Sequence, residues 1–465
     1  MPEQFGWLSL VPPVITVALA FWLRRVIPAL VVGILSACVV LVADQPLRAP
    51  VLAVDRVVAT TAAPDNLRLI LFSVLIGGLI AVLRQVKAFE AFAYVVERAR
   101  GGVRKRLVYG CTWGLGTVLF LETWSNVLVS GTTLRTFYDR VGVSRERMAY
   151  FLHTIAISVV AMVPINSWAA FYMGLLRSQD VVRPFQFLLA SIPYILYCWA
   201  SLVLVSVVMS TGWTIGPLRR FENSAVAAHA AQAGPGVTTP PCERVGLRAA
   251  LLVLTLVTLI VVVLLSLAAT GGGDPRNGDG TAAVLYAVIA SIAVLALACR
   301  LTGVLKLRTA EDALLAGCGE FAGVAALILL ALTLGSLIKE LGTGIYIAGL
   351  FETSLPRQVF APLVFVIGAL MSFATGTSYG TFAIMVPIAL PLAAASGADP
   401  HLLFGACIAG GVFGDNTSPV SDTSIVTAAA TEAQLIDHVA TQLPYALVSA
   451  AIAALGFLTL GVILD

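Results

Sequence analysis

Apolar positions along this chain come in long blocks rather than alternating, and polar residues interrupt the blocks at only a few places. Runs such as "LLVLTLVTLIVVVLLSLAA" (251–269) are long enough to cross a bilayer core of roughly 30 Å as a helix. The blocks predict spans at about 6–23, 26–43, 67–84, 148–176 and 185–210, then at about 247–269, 281–299, 312–338, 402–431 and 442–463. Two further apolar stretches, about 107–137 and 359–396, are each too short for two full crossings with a turn and are read as re-entrant hairpins. A basic, amphipathic segment at 85–106 is expected to lie on the membrane surface.

Composition supports the membrane reading. Hydrophobic residues make up 59% and charged residues only 11%, with a mean hydropathy of +0.96, whereas a soluble domain carries about 25% charged residues. The net charge of +3 fits cytoplasmic loops better than a nucleic-acid surface. The seven cysteines are scattered without metal-ligand spacing, so small buried hydrophobes are expected rather than disulfides or metal ligands. No cleavable signal peptide is read at the N-terminus.

Lys and Arg cluster around 24–25, 84–106, 135–147, 219–248 and 300–308, whereas 44–66, 177–184 and 271–280 are poorer in positive charge or balanced by Asp. The positive-inside rule makes the rich loops cytoplasmic and sets both termini outside. Each half then reads as about five spans plus one hairpin, in opposite orientations. The expected fold is an all-α polytopic membrane protein built of two inverted repeats, 1–210 and 247–465, joined by a cytoplasmic linker at 211–246. A local echo supports the repeat: "ETWSNVLVSGTTLRTF" (122–137) aligns without gaps to "TSYGTFAIMVPIALPL" (377–392). The hairpin tips would be Glu122-Thr123-Trp124 and Thr377-Ser378-Tyr379.

The polar interruptions carry the candidate chemistry. "GGVFGDNTSPVSDTSIVTAAA" (410–430) places Asp415 and Asp422 around a helix breaker, Pro419, in an apolar segment. An ionisable group in the bilayer costs about 2.5–3.5 kcal/mol on insertion scales. A broken helix survives there only where it is buried in protein or lines a wet cavity. Asp415, Asn416, Thr417 and Ser418 offer the oxygen ligands that a hard cation such as Na⁺ requires. Capping of a short helix is the plainer reading of the same residues. Glu122, Thr123 and Asn126 in the first hairpin and His153 near the start of a span are further candidates for cation or proton binding. Asn166 and Ser167 follow Pro164 in a second broken helix. With Thr375, Thr377, Ser378 and Thr381 they form a candidate hairpin and broken-helix substrate site. His153 also reads as a hydrogen-bonded core histidine, and Glu320 as a solvated residue near a span's inner end.

"GVFGDNTSPVSDTSI" and "DHVATQLPYAL" (437–447) resemble the C-terminal signature of the NhaC-type Na⁺/H⁺ antiporters. "ATGTSYGTFAIMVPIALPLA" (374–393), "VSRERMAYFLHTIAISVVAMVPINSWAAF" (143–171) and "NVLVSGTTLR" (126–135) resemble that family too. The likeness covers most of 68–180 and 310–460, and it implies an inverted-repeat carrier. This sequence departs from the family's pattern at three places. Glu122-Thr123 stand where the family has paired aspartates, His153-Thr154 where it has an acid followed by Ser-Thr, and Asn416-Thr417 after the retained Asp415.

The expected function is secondary active transport, not enzymatic catalysis: Na⁺/H⁺ antiport by alternating access, with cation and proton competing for buried carboxylates. The alternative is a Na⁺- or H⁺-coupled carrier of organic or amino acids. An intramembrane aspartyl protease should place its two acids on separate spans, and a passive channel does not need the repeat. Coupling ions, Na⁺ and H⁺, are expected in place of a cofactor. Expected partners are small ions or a small organic solute and the lipid bilayer, with no nucleic acid; a homodimer is among the assemblies allowed. The expected location is the cell's inner membrane.

Overall fold

The computed structural model describes residues 5–23, 25–98, 105–231, 242–274, 278–343, 346 and 356–464. Arg24, Arg100 and Arg104 of the basic clusters lie outside the described residues, as does 232–241 of the linker. Among the described residues the regular structure is helical, with no strand. The first half holds α1 (Val11–Leu23), α2 (Val26–Leu41), α3 (Ala49–Ala62), α4 (Pro64–Gln85), α5 (Ala88–Arg98), α6 (Lys105–Val118), α7 (Thr123–Arg140), α8 (Arg145–Met162), α9 (Ser167–Ser178), α10 (Pro184–Ser191), α11 (Leu196–Thr211) and α12 (Leu218–Ala231). The second holds α13 (Val245–Thr270), α14 (Gly280–Thr302), α15 (Leu307–Glu320), α16 (Ala322–Glu340), α17 (Phe360–Thr375), α18 (Ser378–Ser396), α19 (Pro400–Thr417), α20 (Asp422–Thr431) and α21 (Leu435–Ile463).

Among the described residues seven helical elements are long and apolar enough to cross a membrane, nine if each of two bent pairs counts as one span. The α-helices of the first two expected spans are each shorter than a full crossing, although a 3₁₀ segment, Gly6–Leu10, leads directly into α1. Helices α1 and α2 have 13 and 16 residues, or about 20 and 24 Å at 1.5 Å per residue. Residues 44–66, read as a loop, contain the 14-residue helix α3.

Packing sorts the helices into two groups, and each group draws on both halves of the chain. In one, α4 lies along α15, α13 against α14 and α5, and α16 along α2. In the other, α17 and α18 pack on α19, α7 on α20, and α8 and α21 on α11. Helices α9 and α18 meet α16 across the boundary. The α17–α19 contact is close because Gly410 and Gly414 have no side chain. A Cβ on Gly410 would sit 2.4 Å from the Phe365 carbonyl oxygen, and one on Gly414 2.4 Å from that of Ala369. Small residues permit this approach, and dispersion then holds helices that lipid would otherwise solvate equally well.

The same motif occurs in each half: a helical hairpin followed by a broken helix. Helices α6 and α7 form the first hairpin, and α8 and α9 the first broken helix, bent by 42° around Pro164. Helices α17 and α18 form the second hairpin. Its turn requires Gly376, at φ +67°, where a Cβ would also strike the Val420 carbonyl at 2.6 Å. Helices α19 and α20 form the second broken helix, interrupted at 418–421 around Pro419.

Within 211–246, Leu218–Ala231 forms helix α12. Helix α12 is pinned to the start of α8 by a buried ion pair, Arg147 Nη1 to Glu222 Oε2 at 2.6 Å. The Ser144 amide and hydroxyl donate to the other Glu222 oxygen at 2.9 and 2.7 Å, and Arg147 Nη2 donates to the Gly212 and Trp213 carbonyls. A buried pair whose groups, Arg147 Nε apart, are bonded in this way is costly to break from one side.

Candidate functional site

The two hairpin tips and the two helix breaks converge on one place. Glu122 is the N-cap of α7: its two carboxylate oxygens accept from the Trp124 and Ser125 amides at 2.9 and 2.8 Å. Asn166 caps α9 through the Ala169 amide at 2.9 Å, and its amide group donates back to the Phe120 carbonyl in the first hairpin at 3.1 Å. Ser421 caps α20. Thr377, the N-cap of α18, makes no side-chain cap bond. Asp415 supplies that cap from α19, accepting from the Ser378 amide at 3.2 Å and the Ser378 hydroxyl at 2.6 Å.

Asp415 is almost fully buried, and both its oxygens are bonded. Ser378 serves Oδ2, while Ser421 and Thr423 donate to Oδ1 at 2.5 and 2.8 Å. Three hydroxyls and one amide thus surround one carboxylate at the junction of the second hairpin and the second break. Thr423 extends the network, with His153 Nε2 lying 2.9 Å from its hydroxyl. A hydroxyl has one proton. If Thr423 donates it to Asp415, His153 must carry its proton on Nε2. His153 Nδ1 then accepts, and the groups facing it are His438 Nε2 at 3.2 Å and the Gln442 amide nitrogen at 3.4 Å. Both histidines are fully buried, and His438 Nδ1 has no hydrogen-bond partner.

A cavity of about 410 Å³ opens beside Asp415. Glu122, Thr123, Trp124, Trp168, Thr377, Tyr379, Asp415, Asp422 and Thr423 line it from the hairpin and broken-helix group. Arg84, Glu320, Phe321 and Val324 close it from α4, α15 and α16. Arg84 and Glu320 form an ion pair at 2.7 Å. Glu320 is therefore solvent-accessible, as read, but also forms part of the cavity wall. Asp422 begins α20 with its side chain exposed to the cavity.

The remaining candidates sit elsewhere. Helix α19 continues through Thr417, so the Thr417 hydroxyl bonds back to the Phe413 carbonyl at 2.8 Å. Ser418 donates to the Phe373 carbonyl at 2.7 Å, tying the break to α17. The local oxygen set expected from 415–418 therefore does not form, and Ser378, Ser421 and Thr423 take that place around Asp415. Asn416 donates to the Tyr197 hydroxyl at 2.8 Å and accepts from Gln442 at 2.7 Å. Asn126 holds the first hairpin through the Gly116 carbonyl at 2.8 Å. Thr375 and Thr381 bond within their own helices. Ser167 donates to the Leu121 carbonyl and accepts from the Tyr379 hydroxyl, both at 3.3 Å. His438 and Gln442 were not singled out, although their spacing of four in "HVATQ" puts two polar groups on one face of an apolar helix.

Hairpins and broken helices of a helical, apolar chain thus meet at a buried carboxylate. The sequence profile described as "Na+/H+ antiporter family" matches residues 177–462. A Haemophilus influenzae protein, itself uncharacterized, is 31% identical over 97% of this chain and 90% of its own. This chain therefore belongs to the Na⁺/H⁺ antiporter family. A shorter match, 29% identical over 22% of each chain, joins it to the malate-2H⁺/Na⁺-lactate antiporter of Bacillus subtilis. In fold it is similar to the Alcanivorax borkumensis YdaH transporter, with a TM-score of 0.55 at 16% identity, covering 87% of this chain and 86% of that one.

Proposed function

We propose that this transporter exchanges a cation for protons, with Asp415 as the coupling carboxylate and Asp422 as its partner facing the cavity. The observation that carries the reading is the ring of three hydroxyls and one amide on Asp415 at the wall of the cavity. A hydroxyl that turns its proton away presents an oxygen, and oxygens are what Na⁺ prefers. The same carboxylate holds either a proton or a cation, and that exclusion is the coupling. His153 is the proton-side neighbour, joined to Asp415 through Thr423. Alternating access would follow from two inverted repeats, 1–210 and 247–465, moving the hairpins and breaks against the α4/α15 group; the recurrence of hairpin and broken helix supports this arrangement. Arg84 belongs to a basic segment, so the cavity would face the cytoplasm of an inner-membrane protein with both termini outside.

The organic-acid alternative has the Bacillus relative in its favour. The geometry weighs against it. An anion would need free amides at the helix N-termini, and Glu122 takes the Trp124 and Ser125 amides of the first tip and Asp415 the Ser378 amide of the second. The test is proton movement in proteoliposomes on addition of Na⁺, Li⁺, K⁺, lactate or malate. Na⁺ or Li⁺ should drive it. A response to the organic acids alone would overturn the reading.

A further inference from the structure

Resting on the cation-exchange reading, the shape and lining of the cavity define its cargo more narrowly. At about 410 Å³ it has room for roughly a dozen waters at about 30 Å³ each, and it falls in the range that accommodates small organic ligands. A site that handled only a bare metal ion would need no such space. Three carboxylates face the cavity from the hairpins and breaks, those of Glu122, Asp415 and Asp422. Among the described residues the one basic residue in the lining is Arg84, whose Nη2 pairs with Glu320 at 2.7 Å while its buried Nε has no hydrogen-bond partner. Carboxylates therefore outnumber cations in the lining, and the Trp124, Ser125 and Ser378 amides at the tips already have carboxylate partners.

Aromatic side chains make up much of the remaining wall. Trp124 extends from the first tip beside Asp422, and Trp168 and Tyr379 meet with ring centroids 5.5 Å apart. Aromatic faces attract organic cations, most strongly when water is excluded. Thr123 supplies a second, independent sign of a ligand. Its hydroxyl lines the cavity, is 1% exposed and has no hydrogen-bond partner, and such buried groups are normally satisfied. We infer that the cavity binds an organic ammonium ion with a compact apolar or aromatic body. The cationic head sits between Glu122 and Asp422, the body lies on Trp124, Trp168 and Tyr379, and the ion is exchanged for protons at Asp415. No bond forms or breaks: a cation enters as protons leave.

Quaternary ammonium probes test this best, because they cannot cross lipid as neutral amines and so cannot collapse a pH gradient unaided. Proton release from proteoliposomes of the full chain is measured on addition of Na⁺, Li⁺, tetramethylammonium, benzyltrimethylammonium or lactate. Benzyltrimethylammonium should drive release, with an apparent affinity at least tenfold better than tetramethylammonium. Trp124→Leu should reduce that preference by at least fivefold. If that variant does not fold, competition in the unaltered protein decides: benzyltrimethylammonium should inhibit Na⁺-driven release, and failure to do so counts against the inference. Response to Na⁺ or Li⁺ with none to either organic cation overturns this inference and leaves cation exchange standing. Response to lactate alone, or to no cation, overturns both.

Discussion

The first hairpin tip caps its helix with its own carboxylate, while the second borrows one from 37 residues away. Glu122 and Thr377 occupy matching N-cap positions, before α7 and α18 respectively. Where the first half has an acid, the second has a threonine whose side chain caps nothing, and Asp415 arrives from the broken helix to fill the place. The chemistry at each tip is the same, a carboxylate on helix N–H groups where the dipole favours negative charge. The mechanical consequence differs. Protonation of Glu122 perturbs one hairpin locally. A change of charge at Asp415 alters the contact between hairpin and break, through Ser378 on one side and Ser421 and Thr423 on the other. A coupling carboxylate must sense its ion and move its surroundings, and the borrowed cap can do both.

The largest expected effect follows directly. Asp415→Asn keeps the shape and most hydrogen bonds but removes the charge. Cation-driven proton movement in proteoliposomes with equal amounts of protein should fall at least tenfold, while thermal unfolding in detergent stays near the parent's. Near-normal exchange would leave the borrowed cap as scaffold and end the proposed mechanism.

His153 and His438 lie one step behind Asp415. Thr423→Val removes the hydroxyl that joins Asp415 to His153, and its methyl groups preserve the volume. The variant should lower exchange severalfold and displace its pH profile, and His153→Gln should displace the profile in the same way. A lower rate with an unmoved profile in both variants would reduce the two histidines to core packing.

Glu122 gives the smaller effect that the comparison requires. Glu122→Gln retains one oxygen acceptor for the α7 amides, so stability should hold within about 0.5 kcal/mol, whereas Glu122→Ala should cost about 1 kcal/mol as a lost cap does. Na⁺-driven exchange by Glu122→Gln should drop no more than a few fold. A loss equal to that of Asp415→Asn would make the two tips functionally equivalent.

The sequence pattern made some of this architecture legible and left some hidden, for physical reasons. The helices from 64 onward and both breaks follow from apolar blocks and from Pro164 and Pro419, which act locally, whereas Arg357–Thr375, which ends in α17, and α18, read together as too short for two crossings, are each long and apolar enough to cross a membrane. Asp415, Asp422, Glu122 and Ser378 stood out because polar groups are rare and costly in apolar segments. The Thr417 and Ser418 hydroxyls turn to the Phe413 and Phe373 carbonyls because the register of a helix end decides where a side chain points. Helix α3 was missed because a mixed apolar and polar stretch reads as loop when length alone is weighed. His438 and Gln442 required tertiary contact: they lie 285 and 289 residues from the His153 ring they face.

The smallest effect comes from a third carboxylate cap, one outside the membrane. Asp279 precedes α14 as Glu122 precedes α7, and its side chain accepts from the Thr281 and Ala282 amides at 3.0 and 3.2 Å. Partial burial pushes its carboxyl up. The Thr281 hydroxyl, the Ala282 amide and the Arg68 guanidinium at 2.9 Å outweigh that and hold it below the ordinary carboxylate value. Because the folded form holds its proton less tightly than the unfolded chain, Asp279 stabilises the fold above the unfolded value of about 3.9. That contribution is lost as pH falls through the lower, folded value. Asparagine caps about as well as aspartate, so Asp279→Asn should cost well under 1 kcal/mol at neutral pH, the loss of a partly exposed ion pair. It should also flatten the acid limb of a stability curve measured by thermal unfolding between about pH 3 and 5. Exchange should be unchanged, since Asp279 is remote from the cavity that Asp415 lines. A local cap that altered transport from there would mean that position at a helix end, rather than connection between two elements, is what makes a carboxylate functional.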